Sequence, residues 1–224
     1  MRVVLVSSPG DPALGHWSHA AAAECARLLG VAGASVEWFR VGGDATPAPP
    51  GVAVREMPFE AVPLHRVANA NGDARLEAEL TRALRAQPAF AIVHFGLGAR
   101  GSPNVPWVAE RMGSVPFAVV RATDVVCHRG TTIDAAGAPC FQFDDPERCR
   151  RCCASSWWTR PRAMAFTDRR DLLLGSLAVT AGVFVPNEHD AERLASFGAP
   201  RRTLVTTHDP RAIAARLLGN PVAV

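Results

Sequence analysis

Short apolar runs alternate along the chain with segments whose apolar positions recur every three or four residues. Arg2–Ser7 is a Val-rich run followed by Ser, Pro and Gly, which is typical of a buried parallel strand. Asp73–Arg85 places Leu76, Leu80 and Leu84 on one stripe and charged residues elsewhere, which predicts an amphipathic helix. The alternation of the two patterns predicts an α/β fold.

The same patterns predict seven strands separated by helices. The predicted strands are Arg2–Ser7, Ser35–Val41, Val52–Glu56, Phe90–Phe95, Pro116–Arg121, Gly182–Val185 and Thr203–Thr206. The predicted helices are His16–Leu29 (ending at Gly30), Asp73–Arg85, Pro106–Met112, Arg162–Thr180, Glu188–Phe197 and Pro210–Leu218. This order predicts one Rossmann-like three-layer domain over residues 1–224, with a mostly parallel sheet of about seven strands.

Composition narrows the class of protein further. The 224 residues are 48% hydrophobic and 20% charged, as expected of a folded domain rather than a disordered chain. No apolar run reaches the ~18 residues that span a bilayer, and the first residues do not resemble a signal peptide, so we expect no transmembrane segment and a cytoplasmic location. A net charge of +3 is no signature of nucleic-acid binding, and no motif predicts an organic cofactor.

Ligands of parallel sheets bind beyond the C-terminal ends of the strands, so the residues that follow strands are the candidates for function. A loop containing Gly10 and Gly15 follows the first predicted strand and leads into a helix at His16. Glycines permit close backbone approach, and a helix N-terminus favours an anion. We therefore expect Gly10, Gly15 and His16 to bind substrate.

The fourth and fifth predicted strands end in further candidates. His94 lies at the end of one strand, just before Gly96, and Asp124 follows the next. A histidine and a carboxylate are typical groups for moving protons, so His94 and Asp124 are the predicted catalytic residues and Gly96 a predicted substrate contact. A histidine with all its hydrogen bonds inside the sheet rim is the alternative for His94.

Five of the six cysteines lie close together in the sequence. Cys149 and Cys152 form a C-x-x-C knuckle, and Cys127 and Cys140 supply two more thiols across a loop. Clustered cysteines in a cytosolic chain favour metal over disulfides, and four thiolates suit a structural zinc ion. Disulfides, free thiols and an iron–sulfur cluster remain alternatives, and Cys25 is interpreted as a core residue.

The cysteine segment also carries a resemblance to a known family. DVVCHRGTTIDAAGAPCFQFDDPERCRRCC (residues 124–153) resembles the cysteine-containing insertion of family 4 glycosyltransferases, in which HD and a Cys precede D-x-x-G-x-x-C and C-x-x-C. RVVLVSSPG, AIVHFG and GVFVPNEHDAERLASFGAP are similar to parts of that family's N-terminal domain. The family's HD corresponds to Thr123-Asp124 and its Pro-Ser to Pro186-Asn187.

The resemblance implies one half of a GT-B enzyme. Such enzymes have two Rossmann-like domains, of which the N-terminal one holds the acceptor and the C-terminal one the nucleotide-sugar donor. The chain has no E-x7-E donor motif, so we expect a single N-terminal-like domain with a Cys-rich insertion at about 124–156. Activity, if present, would be hexosyl transfer to a carbohydrate or lipid-linked acceptor, with a donor-binding subunit supplied separately.

Two other functions compete with this one. The first alternative is a non-catalytic relic that binds a sugar, a nucleotide or a partner protein. Alternatively, it is an unrelated Rossmann-like enzyme that uses a free cysteine with His128.

Overall fold

The computed structural model describes residues 1–9, 17–42, 46–58, 72–97, 102–128, 132–140, 145–153 and 163–219, with only the backbone of 163–165. Its strands are β1 (Arg2–Ser7), β2 (Ser35–Val41), β3 (Ala53–Met57), β4 (Ala91–Phe95), β5 (Val115–Val119), β6 (Gly182–Val185) and β7 (Leu204–Thr206). The helices of the described residues are α1 (Trp17–Val31), α2 (Ala74–Ala86), α3 (Val105–Arg111), α4 (Ala122–Val126), α5 (Pro146–Cys153), α6 (Ala163–Ala178), α7 (Glu188–Phe197) and α8 (Pro210–Leu217).

The strands form one seven-stranded sheet in the order β3-β2-β1-β4-β5-β6-β7. Every neighbouring pair in this sheet is parallel, which confirms the predicted fold class. The chain builds outward from β1 in one direction and then, from β4, in the other. This reversal opens a crevice beyond the carboxyl ends of β1 and β4, the position at which open α/β sheets bind ligands.

Helices cover both faces of the sheet. Leu5 of β1 packs with α1 and α8 on one face, where Cys25 and Ile213 belong to the same apolar core. Val6 points to the other face and packs with α2 and α3, and the core on that side continues under α4, α6 and α7. Burial on both faces explains why β1 is an uninterrupted apolar run rather than an alternating one.

Local capping explains where several helices begin and end. The Asp73 carboxylate accepts the backbone N–H groups of Arg75 and Leu76, at 3.0 and 3.1 Å, and so begins α2. Asn187 accepts the N–H of Asp190 at 2.9 Å at the start of α7. That helix ends at Gly198, whose φ of +116° lies in the left-handed region. These capping residues are why the predicted bounds of both helices lie within a residue of the observed ones.

One prediction of local structure was wrong. Gly30 does not end α1, which continues to Val31, and the left-handed residue after it is Gly33, with φ +82°. The segment from Thr123 to Ser156 shows no clear period in its sequence. It contains most of α4 and all of α5, both of which are too short to show a helical period.

No helix of the described residues is long and apolar enough to cross a membrane.

Candidate functional site

Two adjacent serines occupy the crevice at the end of β1. Successive side chains of a strand point to opposite faces of the sheet, and Ser7 and Ser8 make their contacts on opposite sides. Ser7 Oγ lies 2.7 Å from Nδ1 of His19 in α1, whereas Ser8 Oγ lies 2.8 Å from Nε2 of His94 in β4. The loop between β1 and α1 therefore starts and ends within one hydrogen-bonded cluster.

The half of this cluster around Ser7 includes a tryptophan. The indole Nε1–H of Trp38, in β2, donates to Ser7 Oγ at 2.8 Å. That bond leaves the hydroxyl proton of Ser7 available for Nδ1 of His19. All three side chains are fully buried, so these bonds replace contacts with water that folding removed.

His94 is fully buried in the other half of the cluster, and burial lowers its pKa to about 3. The imidazole is therefore neutral at neutral pH. Its Nε2 pairs with Ser8, and Nδ1 has no hydrogen-bond partner among the described residues. A neutral histidine at the end of β4 is suited to holding Ser8, and with it the start of the β1–α1 loop. The predicted catalytic role of His94 remains a prediction.

Gly96 follows the last residue of β4 and lies close to the chain that follows β1. Its φ is +81°, and a Cβ built there would lie 2.7 Å from the carbonyl oxygen of Ser8 and 3.2 Å from Cβ of Ser18. Ser18 Oγ donates to the same carbonyl at 2.6 Å. The space beside Gly96 is thus occupied by the chain itself. This glycine permits two loops to cross closely, whether or not a ligand also contacts it.

The other predicted substrate residues, Gly10, Gly15 and His16, lie outside the described residues. Their segment joins Pro9 to Trp17, so both of its ends are at the crevice.

An aromatic and cationic group lies at the rim of the sheet, and sequence reasoning missed it. The guanidinium of Arg121, after β5, lies 4.7 Å from the centroid of the Trp17 ring. The ring of His208, after β7, stacks on Trp17 at 5.1 Å between centroids and 19° between planes. His208 Nε2 is 2.9 Å from the carbonyl oxygen of Val120, and burial, as the largest influence, lowers its pKa. Arg121 and His208 each follow a strand, which is the signal that could have identified them.

The second predicted catalytic residue, Asp124, lies in α4 just beyond β5. Only 6% of the residue is exposed, so it is not an open surface group. Its backbone N–H donates to the carbonyl of Arg121 at 3.0 Å, and the Asp190 carboxylate accepts the N–H of Ala122 at the same distance. These bonds fix the short helix at the end of β5. The catalytic role of Asp124 also remains a prediction.

The cysteines of the predicted metal site line one small cavity of about 20 Å³, together with His128, Arg148 and others. Burial first, and then the nearness of three other cysteines, raises the pKa of the Cys149 thiol to about 12. Those three are Cys127, Cys140 and Cys152. The predicted set is therefore brought together, although Cys149 and Cys152 lie on a helix rather than in a knuckle.

Residues 132–140 form a short hairpin, closed by an antiparallel bridge between Ile133 and Pro139, and polar contacts join this hairpin to α5. Asp134 accepts the N–H groups of Ala136 and Ala138, each at 2.9 Å, and closes a turn that carries Cys140. Arg148 of α5 reaches back to the Asp134 carboxylate at 3.5 Å. This ion pair links the hairpin to the helix that carries the C-x-x-C pair.

Within the described part of the chain, no group of three or more His, Cys, Asp or Glu side chains is arranged as a metal site. No disulfide joins any of the six cysteines, all of which lie in the described residues, so the predicted alternative of disulfides is not seen. Zinc therefore remains a prediction that rests on the donor set and the shared cavity. Cys25 is fully buried in the core under α1, as interpreted from the sequence.

Comparison with known proteins identifies similar folds only. No protein-family model matches the chain, and no curated protein matches it. Among solved structures, Phytolacca americana UGT2, complexed with UDP-2fluoro-glucose and pterostilbene, is similar over 92% of this chain and 53% of its own, with a TM-score of 0.52 and 16% identity. Arabidopsis thaliana UGT89C1, complexed with UDP-L-rhamnose, matches over 98% of this chain and 56% of its own, with a TM-score of 0.50 and 16% identity.

The UDP-GlcNAc 2-epimerase of Methanocaldococcus jannaschii is similar as well, over 97% of this chain and 48% of its own, with a TM-score of 0.51 and 12% identity. The chain thus spans about half the length of the solved chains it matches. Its fold resembles a domain of GT-B glycosyltransferases and part of a UDP-GlcNAc 2-epimerase. Membership of family 4 remains a prediction.

Proposed function

We propose that this chain is the acceptor-side domain of a GT-B glycosyltransferase and works with a second, donor-binding domain. The observation that carries the proposal is the crevice between β1 and β4, from which the β1–α1 loop and the loop after Gly96 both emerge. Ligands of open parallel sheets bind at this position. The fold likeness to proteins solved with UDP-sugars supports the same reading.

The geometry of the described residues suits binding at the crevice better than it suits chemistry there. His94 is buried and neutral, and Asp124 is nearly enclosed. In this proposal the two residues hold the walls of the acceptor site, and the residues of the 10–16 loop, His16 among them, contact the substrate. The acceptor is a carbohydrate or a lipid-linked sugar, the reaction is hexosyl transfer, and the protein acts in the cytoplasm.

A donor site needs groups that hold the charge of a diphosphate as the leaving group departs. In the described residues the rim offers Arg121 for this purpose, and its guanidinium already lies over Trp17. One exposed helix N-terminus contributes about 1 kcal/mol, whereas micromolar affinity requires about 8 kcal/mol. We therefore place the donor site on the second domain, in another subunit or elsewhere in a longer chain.

The test combines calorimetry, NMR and a transfer assay. We expect UDP and UDP-glucose to bind the chain more weakly than millimolar. Sugar acceptors should shift the amide signals of Ser8, Trp17 and Gly96 and leave those of the distant β3 unchanged. Transfer should appear when a donor-binding protein, captured from the native source, is added. Micromolar binding of UDP-glucose to the chain alone would contradict the proposal that the donor binds to a second domain.

A non-catalytic binding module is the second candidate, and the burial of both predicted catalytic groups favours it. The same experiment separates the two functions. Acceptor-induced shifts at the crevice without transfer, even with the captured partner present, would support the binding module.

The predicted cysteine nucleophile has weaker support. Attack requires a thiolate, and the Cys149 thiol, with its pKa raised to about 12, is protonated at neutral pH. His128 is 7% exposed, and burial lowers its pKa to about 3.

A further inference from the structure

Four thiols from three separate pieces of chain meet at one cavity, and each piece has its own means of placement. Cys127 follows the last residue of α4 and donates its N–H to the Thr123 carbonyl at 3.2 Å. Cys140 ends the hairpin, where its N–H donates to the carbonyl of Thr132 at 2.8 Å. Placement by backbone bonds means that the cavity does not depend on contacts between the sulfurs.

The remaining two thiols come from α5. Residues three apart lie on one face of a helix, so Cys149 and Cys152 face the cavity together. Asp145 accepts the N–H groups of Glu147 and Arg148, at 2.9 and 3.1 Å, and fixes where this helix begins. The C-x-x-C pair is therefore held by a capped helix.

Two further donors line the cavity and also pack with Phe166. Cys153 is 4% exposed and belongs to a small apolar cluster with Phe166, against which the partly buried Cys149 also packs. The His128 ring meets the same Phe166 edge-on at 4.6 Å between centroids. Cys153 and His128 thus complete an apolar wall, and four thiols remain for a ligand.

We propose that Cys127, Cys140, Cys149 and Cys152 form a structural zinc site that ties the hairpin and α5 to the end of β5. The volume of about 20 Å³ accommodates one water or one ion and no larger group. Four cysteine sulfurs in a tetrahedron are a frequent ligand set of structural zinc. Arg148, which also lines the cavity, offsets part of the negative charge of four thiolates.

The described cysteine side chains are not arranged as a tetrahedral metal site. The chemistry of thiols gives a reason for this. Zinc binds thiolates, so the cage forms only as the metal displaces the protons. Rotation about χ1 moves each sulfur between its staggered positions while the backbone stays in place.

The direct test measures metal in the full chain purified without chelator and without a histidine tag. We expect about one zinc per chain, and cobalt added to the metal-free protein should give the absorption bands of tetrahedral thiolate coordination. Absence of bound metal, iron with inorganic sulfide, or a disulfide among these cysteines under reducing conditions would each overturn the proposal.

Neighbouring cysteines provide a matched pair of variants. Cys152→Ser should lower zinc affinity by more than about 100-fold, because loss of even an outer-shell partner costs about 10–100-fold. Cys153→Ser, one residue away, should keep zinc affinity within about 10-fold, a margin smaller than the loss of a ligand. Equal losses in both variants would contradict the ligand set.

Hydrogen exchange on the unmodified chain keeps the proposal testable if a variant fails to fold. Chelation should remove protection from amides of Cys140 and of α5, and leave β1 and β4 unchanged. If these amides exchange at the same rates with and without chelator, the proposal of a zinc site is overturned. None of these measurements depends on sugar transfer, so the zinc site and the proposed function fail separately.

Discussion

Two polar clusters lie within this fold, and they are completed in different ways. In the crevice cluster, Ser7 and Ser8 are paired with His19, Trp38 and His94, which come from α1, β2 and β4. In the cysteine cluster, the thiols approach one another but are joined by no disulfide. The side chains of the first cluster hydrogen-bond to one another, whereas the second cluster contains four thiols that we propose to be zinc ligands.

The comparison shows what each cluster contributes. A buried hydrogen-bonded network stabilises the fold whether or not ligand is present, because every broken bond leaves a desolvated group. A set of cysteine thiols without metal contributes little to stability until a metal binds it. The crevice cluster should therefore stabilise the fold without any ligand, whereas the cysteine cluster should stabilise it only when metal is bound.

The largest effect is expected at the closest contact of the crevice cluster. Gly96→Ala places a Cβ 2.7 Å from the Ser8 carbonyl oxygen, in a left-handed backbone, and we expect a loss of about 2–4 kcal/mol in the free energy of unfolding. Gly33→Ala is the control, since Gly33 has φ +82° and open space around it, so about 1 kcal/mol should be lost. Urea denaturation measures both, and equal losses would show that the crossing of the loops is not tight.

Removal of one hydroxyl tests the network directly. Ser7→Ala leaves the indole N–H of Trp38 and Nδ1 of His19 without their shared partner, so we expect a loss of about 2–3 kcal/mol. A double-mutant cycle with Trp38→Phe should give a coupling of about 1 kcal/mol. Ser196→Ala, at an exposed position, should change stability by less than about 0.5 kcal/mol. If the effects of Ser7→Ala and Trp38→Phe are additive, the two side chains are not coupled, and the crevice cluster is not the network described above.

Acid should weaken the crevice cluster through His94. The folded-state pKa of about 3 lies below the unfolded value of 6.5, so between these values the unfolded chain binds a proton that the folded chain does not. Stability therefore falls as pH falls below 6.5, by about 2 kcal/mol at pH 5. His94→Gln should lose about 2 kcal/mol less than the parent between pH 7 and pH 5 in urea unfolding. An identical pH dependence would show that His94 is not buried as a neutral group.

The smallest effect is expected for the cysteine cluster without metal. Cys152→Ser in metal-free protein should change the free energy of unfolding by less than about 0.5 kcal/mol, since Cys152 is only partly buried. Cys25→Ser places a hydroxyl in a fully buried apolar core and should cost about 1–3 kcal/mol. A large loss for Cys152→Ser without metal would show that the thiols stabilise the fold by packing.

The sequence contained enough information to predict the sheet and the cysteine cluster. Strand β1 is a continuous apolar run because it is buried on both faces, and the spacing of Cys149 and Cys152 is short enough to read directly. Asp134 and Gly137 mark the turn that carries Cys140, so the hairpin is also local information. Features that depend on only a few neighbouring residues, such as these, can be predicted without knowing the fold.

The partners within the crevice could not be predicted in this way. Ser8 and His94 are 86 positions apart, and Ser7 and Trp38 are 31 apart. Only the pairing of β1 with β2 and β4 brings these residues together. The sequence alone does not distinguish a serine that is buried and hydrogen-bonded from one that is exposed. The burial of His94 has the same origin, because its surroundings come from neighbouring elements rather than from its own strand.

The packing of α8 against α1 determines when one side of the molecule becomes protected. Cys25 lies in that core, and burial, as the largest influence, raises the pKa of its thiol to about 12. Since chains fold from the N-terminus as they are synthesised, this face stays uncovered until Ile213 and Leu217 have emerged from the ribosome. The rate at which a thiol reagent reaches Cys25 therefore reports how often the last described helix detaches from the first.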